Sequence, residues 1–202
     1  MENIGIFGGS FEPIHLAHLI IADLFIEKYE LSKCILIPTH KSPFKINETS
    51  DKLFTDELRL KLLELSVEDN PKFIIEKFEI ERNEVSYTID TLNYLKNKYL
   101  NTNFFLLIGN DQSESFHKWK DWEKIIDSAQ IVIANRKSKM QVQKYEFEIL
   151  KPNIKLEFLD NPIIDISGTE IRNRILCNKT IKYLLHNSAY NFLKSIRFHN
   201  LQ

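Results

Sequence analysis

Short apolar runs alternate with amphipathic stretches along almost the whole chain. Residues 3–7 form a first run, 33–38 (KCILIP) a second, and 104–108 (FFLLI) an unbroken third bounded by Asn103 and Gly109. Such runs are expected of strands covered on both faces. Residues 130–134 (QIVIA) and 155–159 (KLEFL) predict two more strands, and the partly alternating 73–82 (FIIEKFEIER) predicts another. Between them apolar positions recur at three and four. Leu19, Ala22, Phe25 and Ile26 do so in 15–29, Leu58, Leu62, Leu65 and Ser66 in 55–67, and Ile89, Leu92, Leu95 and Tyr99 in 88–99. Helices also fit 112–127, 168–177 and 188–197. This alternation predicts an α/β fold, one domain over 1–202 with a mainly parallel sheet flanked by helices and a small helical C-terminal part from about 167. Ligands of such sheets sit at the carboxyl ends of the strands, which singles out Phe7–His18, Pro38–Lys45, Gly109–Trp122 and Ala134–Lys139. Residues 41–54, polar around Pro43, are expected to form a mobile loop over the site.

Composition narrows the function classes. The chain has 202 residues, 43% hydrophobic and 27% charged, a balance that excludes disordered and collagen-like structure. Lys+Arg 27 against Asp+Glu 28 leaves a net charge of -1, so no nucleic-acid partner is expected, the small cluster of Arg136, Lys137 and Lys139 notwithstanding. No apolar run approaches the roughly 18 residues of a membrane span, and the start MENIGIFGG lacks a signal peptide's pattern. The expected setting is cytoplasmic, without a membrane partner. Cys34 and Cys177 stand far apart with no CxxC pairing, which supports neither a disulfide scaffold nor a zinc site. The five glycines are Gly5, Gly8, Gly9, Gly109 and Gly168, against an average usage of about 7%. Each is expected to mark a positive φ or a close approach.

Two segments carry phosphate-binding features. In GIFGGSFEPIHLAH (5–18) a strand ends in Gly8-Gly9-Ser10 and a helix opens near His15. The turn exposes backbone N–H groups, and the helix start adds roughly +0.5 of a charge. His15 and His18, three apart, share the helix face beside that positive end. G-x-G-x-x-G, a P-loop Gly-Lys-Ser/Thr and H-E-x-x-H are all absent from the segment. In ISGTEIRNR (166–174), Ser167 is a natural N-cap, Glu170 completes a capping-box pattern and Arg172 lies in the first turns. Alone this reads as an ordinary capped helix. Paired with the first segment it suggests a polyphosphate spanning both.

GGSFEPIHLAH resembles the (T/S)-F-D-P-x-H-x-G-H signature of the nucleotidyltransferase superfamily, and ISGTEIR resembles its I-S-S-T-x-I-R. EVSYTIDTL (84–92), IGNDQ (108–112) and FHKWKDW (116–122) are similar to segments of bacterial nicotinate-nucleotide adenylyltransferases, in the same order over nearly the whole chain. The resemblance implies a Rossmann-like sheet and adenylyl transfer from ATP, with Mg²⁺, to nicotinate mononucleotide. It implies catalytic roles for His15, His18 and Arg172, and an ATP site of Gly8, Gly9, Ser10, Phe11, His15, His18, Lys45, Gly109, Asp111, Ser167, Thr169 and Arg172. Thr88, Trp119, Lys120 and Arg136 would hold the mononucleotide. Trp122 is expected to pack with Trp119 at helical i,i+3 spacing, Trp119 facing the ligand and Trp122 the core. No protein-held metal is implied, and a homo-oligomer is left open. Four departures from the pattern stand out: Ala17 for Gly, Glu12 for Asp, Phe44 for His and Gly168 for Ser or Thr. A sister adenylyl- or cytidylyltransferase with another acceptor, such as nicotinamide mononucleotide, and a nucleotide sensor without turnover are the competing readings. His40, His186 and His199 receive no role.

Overall fold

A computed structural model of the chain describes residues 1–45, 53–135 and 156–196. β1 (Glu2–Gly9) leads into α1 (Leu16–Lys28) and β2 (Lys33–Pro38); a 3-10 turn (Pro43–Lys45) and α2 (Asp56–Val67) follow. Next come β3 (Phe73–Ile75), α3 (Phe78–Arg82), α4 (Thr88–Lys98), β4 (Thr102–Gly109) and the short α5 (Asn110–Ser113). A second 3-10 turn (Phe116–Lys118), α6 (Trp122–Ser128), β5 (Gln130–Ala134), β6 (Leu156–Leu159), α7 (Gly168–Leu176) and α8 (Asn187–Ser195) complete the described chain.

The strands form one six-stranded sheet in the order β3-β2-β1-β4-β5-β6, every described pair parallel. Successive residues of a strand face opposite sides, and both sides here are apolar. Phe7, Leu36, Leu107 and Val132 face α1, α2, α7 and α8, whose Phe25, Leu62, Ile171 and Leu193 complete one core. Ile6, Ile37, Leu106, Ile108 and Ile133 face the other way, toward Leu92 of α4 and Ile125 of α6. Strand order reverses direction between β1 and β4, the switch point at which such sheets open a crevice for ligands.

Two elements differ from the sequence pattern. The run 73–82 is not one strand. β3 ends at Ile75, the buried Glu76 takes an ion pair from Lys98 at 2.6 Å, and Phe78 begins α3 by stacking on Tyr94 at 4.1 Å. Nor is 112–127 one helix. Trp119 is extended (φ -72, ψ 144) and Asp121 left-handed (φ 52), so the chain bends round Phe116, which is completely buried. Of the two roles expected of the glycines, positive φ is taken by none of the described ones. Close approach is what Gly5 provides: a Cβ there would lie 2.7 Å from Phe25 and Leu31, where α1 and its following turn pack on β1.

Candidate active site

The carboxyl end of β1 is the centre of the site. Gly8 is exposed, and a Cβ there would meet nothing within 4 Å, so the backbone faces open space. Phe11 turns the chain with φ 43 and is itself buried, its ring edge-on to Phe7 at 5.6 Å and to His18 at 5.1 Å. His15 is the N-cap of α1, and its ring stacks on that of His18 at 3.6 Å. His18 Nδ1 accepts the His15 backbone N–H at 3.3 Å. That bond assigns the proton of the neutral His18 ring to Nε2. The expected pairing of the two imidazoles at the helix start is therefore present, with His15 buried and His18 half-buried.

The second phosphate motif meets the first directly. Arg172 Nη1 donates to the Glu12 carbonyl at 2.6 Å, and its Nη2 to Thr169 Oγ1 at 3.0 Å. Ser167 caps α7, its hydroxyl accepting from the Glu170 N–H at 3.1 Å. A Cβ on Gly168 would stand 2.6 Å from the Glu12 carbonyl oxygen, so a serine at this position does not fit this backbone. Arg174 turns elsewhere, donating to the Thr180 carbonyl at 2.8 Å.

Beside these motifs, between the ends of β1, β2 and β4, lies a cavity of about 550 Å³, within the range of small-molecule sites. Gly8, Gly9, Ser10, Thr88, Trp119 and Lys120 line it. Thr88 opens α4, so its N–H belongs to the first turn, which has no partners inside the helix. Trp119 sits on a turn and not on a helix face with Trp122; both rings lean on Phe116, at 5.1 and 6.4 Å. Lys120 Nζ lies 4.5 Å over the Tyr87 ring and 3.6 Å from Asp90. Phe44, 58% exposed, lies at the lip of the cavity. Gly109 caps α5 and places exposed Asp111 in its first turn. Lys45 closes the 3-10 turn. Arg136 and His199 lie outside the described residues, as does half of the loop expected over 41–54, residues 46–52.

Three participants escape sequence reasoning. Arg59, 2% exposed, donates from Nη1 to the Ser10 carbonyl and from Nη2 to the Thr39 carbonyl and Asp56 Oδ1, both at 2.8 Å. Asp56 in turn holds His40 Nδ1. Burial pushes the Asp56 carboxyl up, but the bonds from Arg59 and His40 outweigh it and hold it below the usual carboxylate value. The network pins the phosphate-side turn to the end of β2. Its signal in the sequence is a charged residue three before Leu62 on the apolar face of its helix. The third participant is Glu79 on α3, a buried cavity-lining acid whose Oε1 accepts from Thr91 Oγ1 at 2.6 Å. Burial raises its pKa, against the hydroxyls of Thr91, Ser86 and Thr39 and the charge of Arg82.

The cytidylyltransferase-like family matches residues 6–174. A protein of Borreliella burgdorferi named "Probable nicotinate-nucleotide adenylyltransferase" is 34% identical over 198 residues, covering 98% of this chain and 95% of its own. One of the same name from Bacteroides fragilis is 39% identical over 186 residues, covering 92% and 88%. In structure the chain is similar to Plasmodium falciparum nicotinic acid mononucleotide adenylyltransferase complexed with NaAD, with a TM-score of 0.79 at 20% identity, covering 100% of this chain and 99% of that one. At that identity the likeness shows the shared α/β fold.

Proposed function

The chain belongs to the cytidylyltransferase-like family, and within it to the nicotinate-nucleotide adenylyltransferases, and from that membership we propose that it transfers the adenylyl group of ATP to nicotinate mononucleotide. An oxygen of the mononucleotide phosphate attacks the α-phosphorus of ATP in line. The bond from that phosphorus to the β-phosphate bridging oxygen breaks, its electron pair leaves with pyrophosphate, and deamido-NAD is the second product. The attacking phosphate is already a nucleophile, so positioning and charge stabilisation carry the rate and no covalent enzyme intermediate forms.

The observation that supports this best is the bond from Arg172 to the Glu12 carbonyl at 2.6 Å, which joins two phosphate-binding motifs beside a ligand-sized cavity. In the proposal His15 and His18 contact the α- and β-phosphates and stabilise the charge that develops there. Ser167, Thr169 and Arg172 hold the departing phosphates. Gly8, Gly9, Ser10, Phe11, Lys45, Gly109 and Asp111 complete the ATP side. Trp119 stacks on the pyridine ring, and the backbone N–H groups of Thr88 and Lys120 meet its carboxylate, with Arg136 the remaining acceptor contact. Imidazole, hydroxyl and N–H donors suit phosphate oxygens and leave Mg²⁺ to be carried on the triphosphate, where it neutralises charge.

The test is to incubate the protein with ATP and Mg²⁺ and either nicotinate or nicotinamide mononucleotide, following pyrophosphate and dinucleotide. Deamido-NAD formed chiefly from the acid is the expected result. ATP binding without product from either acceptor would overturn the assignment in favour of another acceptor or a sensor.

A further inference from the structure

The proposed chemistry leaves one buried ionisable group of the cavity unused. Glu79 is 9% exposed and lines the acceptor side of the cavity with Tyr87, Thr88 and Trp119. Its Oε1 is held by Thr91, one turn into α4, at 2.6 Å. Its Oε2 is buried without a well-aligned hydrogen bond; the Ser86 and Thr39 hydroxyls face the carboxyl from the flanking segments. A buried polar oxygen left in that state is costly unless a ligand completes it.

A positive feature at this end of the cavity is the N-terminus of the eleven-residue α4. Glu79 bonds to the first turns of that helix, and Thr88, in the proposed acceptor site, opens it. A carboxylate on the acceptor and an ionised Glu79 would compete for the same helix end in a poorly solvated space. Two such charges do not coexist cheaply, and the usual resolution is that one carboxyl keeps its proton. The surrounding charges do not cancel this. Arg82, on α3 with Glu79, is engaged by Glu84 and by Asp90 at 3.6 Å, and Lys120 shares Asp90 at 3.6 Å. Glu76 is matched by Lys98 at 2.6 Å, His40 is bonded to Asp56, and Lys118 is a further cation among the lining residues.

Building on the adenylyl-transfer reading, we propose that Glu79 determines specificity for the acceptor's ring substituent, donating from its protonated form to a ring carboxylate and, once ionised, favouring a neutral hydrogen-donating group such as a carboxamide. Burial, which already raises the Glu79 pKa, makes the protonated form accessible. Binding of the acid-bearing mononucleotide then takes up a proton that binding of the amide does not.

The experiment measures kcat/KM for nicotinate and nicotinamide mononucleotides from pH 5.5 to 8.5 and takes their ratio. The ratio removes the phosphate titration that both acceptors share. In the wild type the acid:amide ratio falls with rising pH, by up to about tenfold per unit where Glu79 ionises, the limit for one linked proton. In Glu79→Gln it is independent of pH. Isothermal calorimetry of the wild type in buffers of different ionisation enthalpy adds a measurement that needs no variant: the acid takes up more protons than the amide at pH 7.5. A flat wild-type ratio, an unchanged slope in E79Q, or equal proton uptake overturns Glu79's role while leaving adenylyl transfer standing. No dinucleotide from either acceptor overturns both.

Discussion

Arg59 shows how one side chain links the sequence motifs. A guanidinium buried to 2% exposure is tolerated because its charge meets Asp56 and two backbone carbonyls. Removing it takes from Asp56 its guanidinium partner and frees the turn after β1. Arg59→Met is therefore expected to lower stability by about 3–5 kcal/mol, the cost of breaking a buried pair. In a chain of this size that is a fall in Tm of roughly 6–20 °C, measured by thermal unfolding; a change under about 1 kcal/mol would mean the network is not a structural tie. His15, His18, Ser167 and Arg172 were legible as candidates because their motifs are contiguous in sequence. Arg59 and Glu79 were not, since each acts on groups from other elements. Gly168 was legible as a departure, and the structure gives it a steric reason: the Glu12 carbonyl oxygen lies 2.6 Å from where its Cβ would be.

At the scale of elements, the misreadings of 73–82 and 112–127 have one cause. Both segments carry apolar residues whose local spacing suggests a single regular element, and in both tertiary packing decides otherwise. Glu76 and Phe78 find partners on α4, which ends β3 and begins α3. Phe116 is drawn into the core, and Trp119 and Lys120 are left on a turn at the cavity wall. Because Trp119 is on that turn, its ring can meet a ligand without a helix having to move. Trp119→Ala is expected to raise KM for the mononucleotide by about two- to tenfold, the equivalent of roughly 0.5–1.5 kcal/mol of stacking, with KM for ATP unchanged. Equal losses for both substrates in steady-state kinetics would make the tryptophan a packing residue.

Across the whole molecule, pH acts on Asp56 and Glu79 in opposite senses. Asp56 is held below its usual value, so its stabilisation is present above that value and is lost as pH falls through the folded one. Glu79 is raised, so the folded state holds its proton more tightly. Stability then declines as pH rises from the ordinary carboxylate value through the raised one. Glu79→Gln has no proton to lose, and its Tm relative to wild type is expected to climb between pH 4.5 and 8. A difference constant across that range, measured by calorimetry, would show that Glu79 titrates as it does in the unfolded chain.

The sequence by itself determined the α/β class, most of the helices and strands, and the two motifs read as candidates for phosphate binding. These rest on periodicity and on short spacings, which are local properties of a chain. Only the tertiary structure decided that β1 and β4 are neighbours at the switch point, and that Arg172 reaches the Glu12 carbonyl 160 positions away. It alone placed a buried glutamate in the wall of the cavity. Those facts depend on which elements pack together, and that is settled by burying both faces of the sheet at once, a condition no single segment can express.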